Sequence, residues 1–137
     1  MKNLDTLAAK TAQTIVNASS QPKELDILAT KTLGVLQENG VYACILFLFS
    51  RTREVEKSLA DTIQEELFNL CSNLLPDDTK IPEKRDDRLK FVTDKIASDL
   101  DTLLLVKQVW EQALIYVRYG AKARSAEKVK SSKEQAT

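Results

Sequence analysis

Apolar residues recur at intervals of three and four along nearly the whole chain, and only three glycines and three prolines interrupt its 137 residues. That spacing stacks side chains on one face of a helix, whereas a half-buried strand would alternate every second residue. The pattern predicts an all-α fold, a compact bundle of about five to six helices with a buried central helix. The length suits a single core. Residues 1–124 are expected to form one helical domain, and residues 125–137, rich in Lys, Ser, Glu and Gln, a flexible polar C-terminal tail.

Leu4, Leu7, Ala8, Thr11, Ala12 and Ile15 mark a first helix that stops near Asn17 to Ser20. Pro22 suits the first turn of a second helix, because its missing N–H would lack a partner there in any residue. Leu25, Leu28, Ala29, Thr32, Leu33 and Leu36 form the inner face of that helix, and Asn39-Gly40 supplies a left-handed residue to close it. Nine consecutive apolar residues, Val41 to Phe49, come next. They are too few to span a bilayer and too uniformly apolar for an ordinary surface element, so they are expected to be the buried helix at the centre. A lone strand there would have nothing to pair with.

Val55, Leu59, Ile63, Leu67, Leu70 and Leu74 step along a fourth helix that Pro76 is expected to end. Residues 77–87 form the longest loop. A fifth helix is expected over 86–97 with Leu89, Val92 and Ile96 inward. Ser98 is then placed to cap a last helix from Asp99 to Arg124 that carries Leu103, Val106, Trp110, Ala113, Leu114 and Val117.

The chain has no histidine. This removes the commonest general base, the Ser-His and Cys-His nucleophilic pairs and most zinc sites. Cys44 and Cys71 sit among apolar neighbours without a Cys-x-x-Cys spacing and read as buried free thiols. Glu65 and Glu66 are adjacent on a helix and point in different directions, so they are no acid–base pair. No phosphate loop, metal motif or nucleophile elbow is present. The chain is therefore expected to be no enzyme, with no cofactor and no metal. Without a signal-like or membrane-spanning segment, a cytoplasmic location and no membrane partner are expected.

Twenty acidic and twenty basic residues cancel, but unevenly. Glu54, Glu56, Asp61, Glu65, Glu66, Asp77 and Asp78 precede a basic region holding Arg118, Lys122, Arg124, Lys128 and Lys130. On a helical wheel Lys107, Arg118 and Lys122 fall within about sixty degrees of one another, with Glu111 on the same face. Arg51 follows the apolar run at an element end. With Lys31, these four are the candidate phosphate-contacting residues, because cations bind a nucleic-acid backbone without reading its bases. Lys80, Lys84, Arg85 and Arg88 are a less favoured group, interspersed with Glu83, Asp86 and Asp87. Tyr42, Tyr116 and Tyr119 can stack on bases if exposed, but their apolar contexts point to core or interface positions.

The segment Val35 to Arg51, in which one helix ends at Asn39-Gly40 and an apolar helix ends at Ser50-Arg51, resembles the small-subunit family of type III-B CRISPR effector complexes. Trp110 to Tyr119 is similar to the late helix of that family. The resemblance covers roughly residues 1–124. It implies a non-catalytic subunit of an RNA-guided antiviral-defence ribonucleoprotein. Such a subunit stacks with copies of itself, touches other effector subunits, and contacts the target RNA backbone within a guide RNA–target RNA duplex; Arg51, Lys107, Arg118, Lys122 and Lys31, taken from the charge pattern, are the residues expected to make that contact. The alternative is a small helical protein-interaction or dimerising adaptor module without nucleic-acid binding, which the zero net charge favours.

Overall fold

Several helix starts and stops follow from local devices in the computed structural model, which describes residues 3–136, with side chains through Lys130. Asn3 caps α1 (Leu4–Ala18) by accepting from the Thr6 N–H at 3.1 Å. Pro22 stands in the first turn of α2 (Pro22–Asn39), as its fixed φ allows. Gly40, at φ 97° and ψ −175°, then turns the chain into α3 (Val41–Phe49) while its N–H bonds the Leu36 carbonyl at 3.0 Å. That backbone conformation is essentially open to glycine alone. α4 covers Glu54–Cys71, and α5 (Arg85–Phe91) runs into a π turn at Val92–Ile96. The last helix, α6, is Leu100–Ala136.

All-α packing into a compact six-helix bundle agrees with the periodicity, and α6 is its axis. α2 and α1 make the most extensive contacts with it. Val106, Trp110, Ala113, Leu114, Val117 and Ala121 of α6 are buried among the inner faces of these helices and α4. Phe68 meets Trp110 edge-on with ring centroids 5.7 Å apart and Phe91 at 6.3 Å, a favoured aromatic geometry. The Trp110 indole N–H donates to the Leu67 carbonyl at 3.0 Å, so its burial leaves no donor unpaired. At Gly120 the α1 and α6 backbones come close, since an added Cβ would lie 3.1 Å from the Val16 methyl.

Several expectations need correction. The most apolar segment is not the most central one: α3 buries Val41, Cys44, Ile45 and Leu48, yet Tyr42 is 41% and Leu46 43% exposed. A helix of nine residues is only about 13 Å long and has one face to bury, while the longer α2, α4 and α6 build the centre. Val55 and Leu4, expected inward, are also exposed. α4 stops at Cys71, before Pro76 acts, because tight bonds from the Ser72, Asn73 and Leu74 N–H groups to carbonyls three residues back wind its end off.

The fifth helix is shorter than expected and ends in the π turn, closed by the Ala97 N–H on the Val92 carbonyl at 2.8 Å. Ser98 does not cap α6, since its hydroxyl donates back to the Asp94 carbonyl at 2.6 Å. Asp99 takes that role, accepting from the Thr102 N–H at 3.2 Å and its hydroxyl at 2.6 Å. α6 does not end at Arg124. No glycine or proline follows Gly120, and Ala, Lys, Glu and Gln are strong helix formers as well as polar ones. Arg124 also donates to the Val16 carbonyl at 3.3 Å and to Asn17 Oδ1 at 2.7 Å, and Lys128 to the Ser20 carbonyl at 3.2 Å, which stitches α6 to the end of α1.

Candidate functional site

The outer face of α3 differs from an ordinary helix surface in having no charged or amide side chain between Val41 and Phe49. Tyr42 and Leu46, four residues apart, lie one above the other on that face. Two arginines border it. Arg51, expected to reach outward to a phosphate, folds back: its guanidinium carbon is 4.1 Å from the Phe47 ring centroid, Nε donates to the Phe47 carbonyl at 3.2 Å, and Nη2 donates to Ser50 Oγ at 2.9 Å. A cation bonded to the last carbonyls of a helix also complements its dipole. Arg85 stacks on Phe49 at 4.9 Å, donates to the Phe49 carbonyl at 3.3 Å and pairs with Asp61 at 2.9 Å.

Arg88, one turn further on, is buried. Its guanidinium lies 5.2 Å from the Phe68 ring centroid, Nε donates to the Pro82 carbonyl at 2.7 Å, and Nη1 donates to Gln64 Oε1 at 2.7 Å. Arg85 and Arg88 thus bind the loop after α4 and the end of α3 to α4. The sequence reading placed both in a mixed-charge group along the long loop, as less favoured phosphate contacts. Their three-residue spacing on a helix was the one available sign that they act on the same side.

The remaining candidates do not form one site with Arg51. Lys107 makes an ion pair with Glu111 at 3.6 Å, one turn along α6. Arg118, half-buried on the same helix, has its Nε buried without a hydrogen-bond partner. Lys122 is exposed further along α6 beside Lys23 and Asp26 of α2, and Lys31 is exposed on α2. Tyr116 is half-buried and donates to Asp5 Oδ1, a hydrogen bond that pushes its phenol above the ordinary value, while Tyr119 is 66% exposed. Exposed apolar residues also occur at the start of α6, where Leu100 and Leu104 are again four apart. α3 touches both α6 and the π turn that leads into it.

Cys44 and Cys71 are free and buried. Burial pushes both thiols up to about 12; at Cys71 a hydrogen bond with Trp110 acts in the opposite direction. Such thiols are poor nucleophiles at neutral pH. Among the described residues no three His, Cys, Asp or Glu side chains come together as a metal cage, and no helix is long and apolar enough to cross a membrane.

Set against known proteins, the chain matches no family model, no curated protein and no solved structure. The assignments to CRISPR, antiviral defence and RNA binding that the resemblance implied are corrected on that ground: no known protein carries them over to this chain. What stands is the all-α bundle, with an apolar, arginine-bordered face on α3 and a lysine-bearing flank where α2 meets α6.

Proposed function

We propose that the chain is a small helical dimerising adaptor, a protein-interaction module that pairs with a second copy of itself through α3. The observation that carries this reading is the outward face of α3, where Tyr42 and Leu46 stand exposed on a helix with no charged or amide residue of its own. A helix of this kind gains from covering its outer face, and an arginine-bordered apolar and tyrosine patch has the composition of an interface centre.

Charge arrangement favours a second copy as the occupant. Glu38, in the last turn before Gly40, and Arg53, just after α3, are both exposed, and neither has an ion-pair partner among the described residues. In an antiparallel, two-fold pairing of α3 with its counterpart, Glu38 of each copy approaches Arg53 of the other, and the two helix dipoles also oppose. Zero formal net charge adds no long-range repulsion between copies.

Sedimentation velocity over a concentration series tests the reading. The protein is expected to pass from monomer to dimer, and Tyr42→Glu or Leu46→Glu to remain monomeric with unchanged helix content. Glu38→Arg and Arg53→Glu should each weaken pairing, and the two together should restore it. A wild-type chain that stays monomeric at high micromolar concentration, or a dimer indifferent to Leu46→Glu, would falsify the assignment.

A further inference from the structure

A second surface lies on other helices and rests on different observations. Where α2 begins and α6 passes it, a groove of about 510 Å³ is lined by Lys23, Asp26, Lys122, Ser125, Ala126, Val129 and Lys130. Its floor is apolar: Val129 is 54% exposed with Ala126 one turn before it, and the aliphatic stems of the lysines extend that floor. Its rim is positive, with three ammonium groups against the single carboxylate of Asp26. None of the three lysines has an ion-pair partner among the described residues. Gln21, at the N-cap of α2, gives its helix no side-chain cap, so the positive end of the α2 dipole adds to the same field.

We infer that this groove is a docking site for an acidic amphipathic helix of a partner protein, one that lays an apolar stripe on Ala126 and Val129 and flanks it with carboxylates facing Lys23, Lys122 and Lys130. The apolar floor selects a helix with a stripe over a bare polyanion, because charge alone gives Val129 nothing to bury against. The lysine rim selects an acidic helix over a basic one and speeds the encounter. Lys122, singled out in the sequence as a phosphate contact, here serves protein recognition. Combined with pairing through α3, the site gives a dimer two equivalent arms, although it functions on a monomer as well.

The test is a fluorescence-anisotropy titration of the full chain with a labelled synthetic helix bearing a leucine stripe flanked by glutamates. A control peptide keeps every glutamate but carries glutamine in place of the leucines. The striped peptide is expected to bind, the control and the protein variant Val129→Asp each to lose roughly tenfold, and Lys122→Glu/Lys130→Glu to lose at least as much. These positions are exposed, and circular dichroism checks that each variant folds. The Leu46→Glu protein should bind the peptide with unchanged affinity, which separates a failure of this site from a failure of α3 pairing. Absence of binding, equal binding of the two peptides, or an RNA oligonucleotide binding as tightly as the striped peptide would each overturn the proposal.

Discussion

Arg88 brings a positive charge into a site only 7% exposed, where a glutamine amide oxygen, a backbone carbonyl and an aromatic face replace water. Hydrogen bonds from a charged donor contribute about 1.5–3 kcal/mol each, and truncation also leaves a void. Arg88→Ala is therefore expected to cost about 2–4 kcal/mol in urea unfolding; a loss below about 0.5 kcal/mol would show that the loop is held by other contacts. The two thiols set a second residue-level expectation. Their folded pKa of about 12 lies above the ordinary value of 9.0, so folding favours the neutral form. That contribution is complete below about pH 9 and is lost as pH rises toward 12, at up to about 1.4 kcal/mol per pH unit for each thiol. Cys44→Ala/Cys71→Ala should flatten the alkaline slope, and an identical slope in the variant would contradict this account. Sequence reading recognised both cysteines as buried because their neighbours are apolar. It expected Arg51 to point outward and did not foresee the burial of Arg88, because the acceptors that hold Arg88 lie on other elements and Arg51 is held by the Phe47 carbonyl and the Ser50 hydroxyl, none of which residue type reveals.

At the level of elements, two glycines six residues apart, one inside α2 and one at the turn that ends it, should behave in opposite ways. Gly34 lies inside α2 with nothing within 4 Å of an added Cβ, so Gly34→Ala should stabilise the protein by about 0.5–1 kcal/mol through helix propensity. Gly40 has equally open space but φ +97°, and Gly40→Ala should destabilise by about 1–3 kcal/mol. Thermal melts of the pair check both signs; two substitutions shifting the midpoint in the same direction would contradict the backbone argument. This turn was legible in the sequence, as was the full inner face of α2, because a left-handed glycine and a helical period are local signals. The depth of α3 was not. A helix of nearly uniform apolarity has no polar side to show which face turns outward, so its sequence points to the centre even where one face stays exposed. Helix ends misread for a similar reason: the hydroxyl of Ser98 serves one helix or the next depending on a π turn that residue type does not announce.

For the whole molecule, association and stability are linked. If α3 pairs with its counterpart, the folded dimer is favoured by mass action, and the unfolding midpoint should rise with protein concentration for the wild type but not for Leu46→Glu. A midpoint independent of concentration in both would count against pairing. The bundle as a whole was readable from periodicity, since five apolar stripes and one wholly apolar segment admit few arrangements other than helices burying them together. Its surfaces were less readable, because charges close in sequence, such as Arg51 and Arg53, separate into one cap and one exposed side chain with no ion-pair partner among the described residues. Trp110 has a practical consequence here. It is the only tryptophan in the chain, and its indole is fully buried against Phe68 and bonded to Leu67, within the core and not on the outer face of α3. Its emission should therefore shift when the core melts and stay constant when two folded copies meet, an intrinsic optical signal for folding that is blind to assembly.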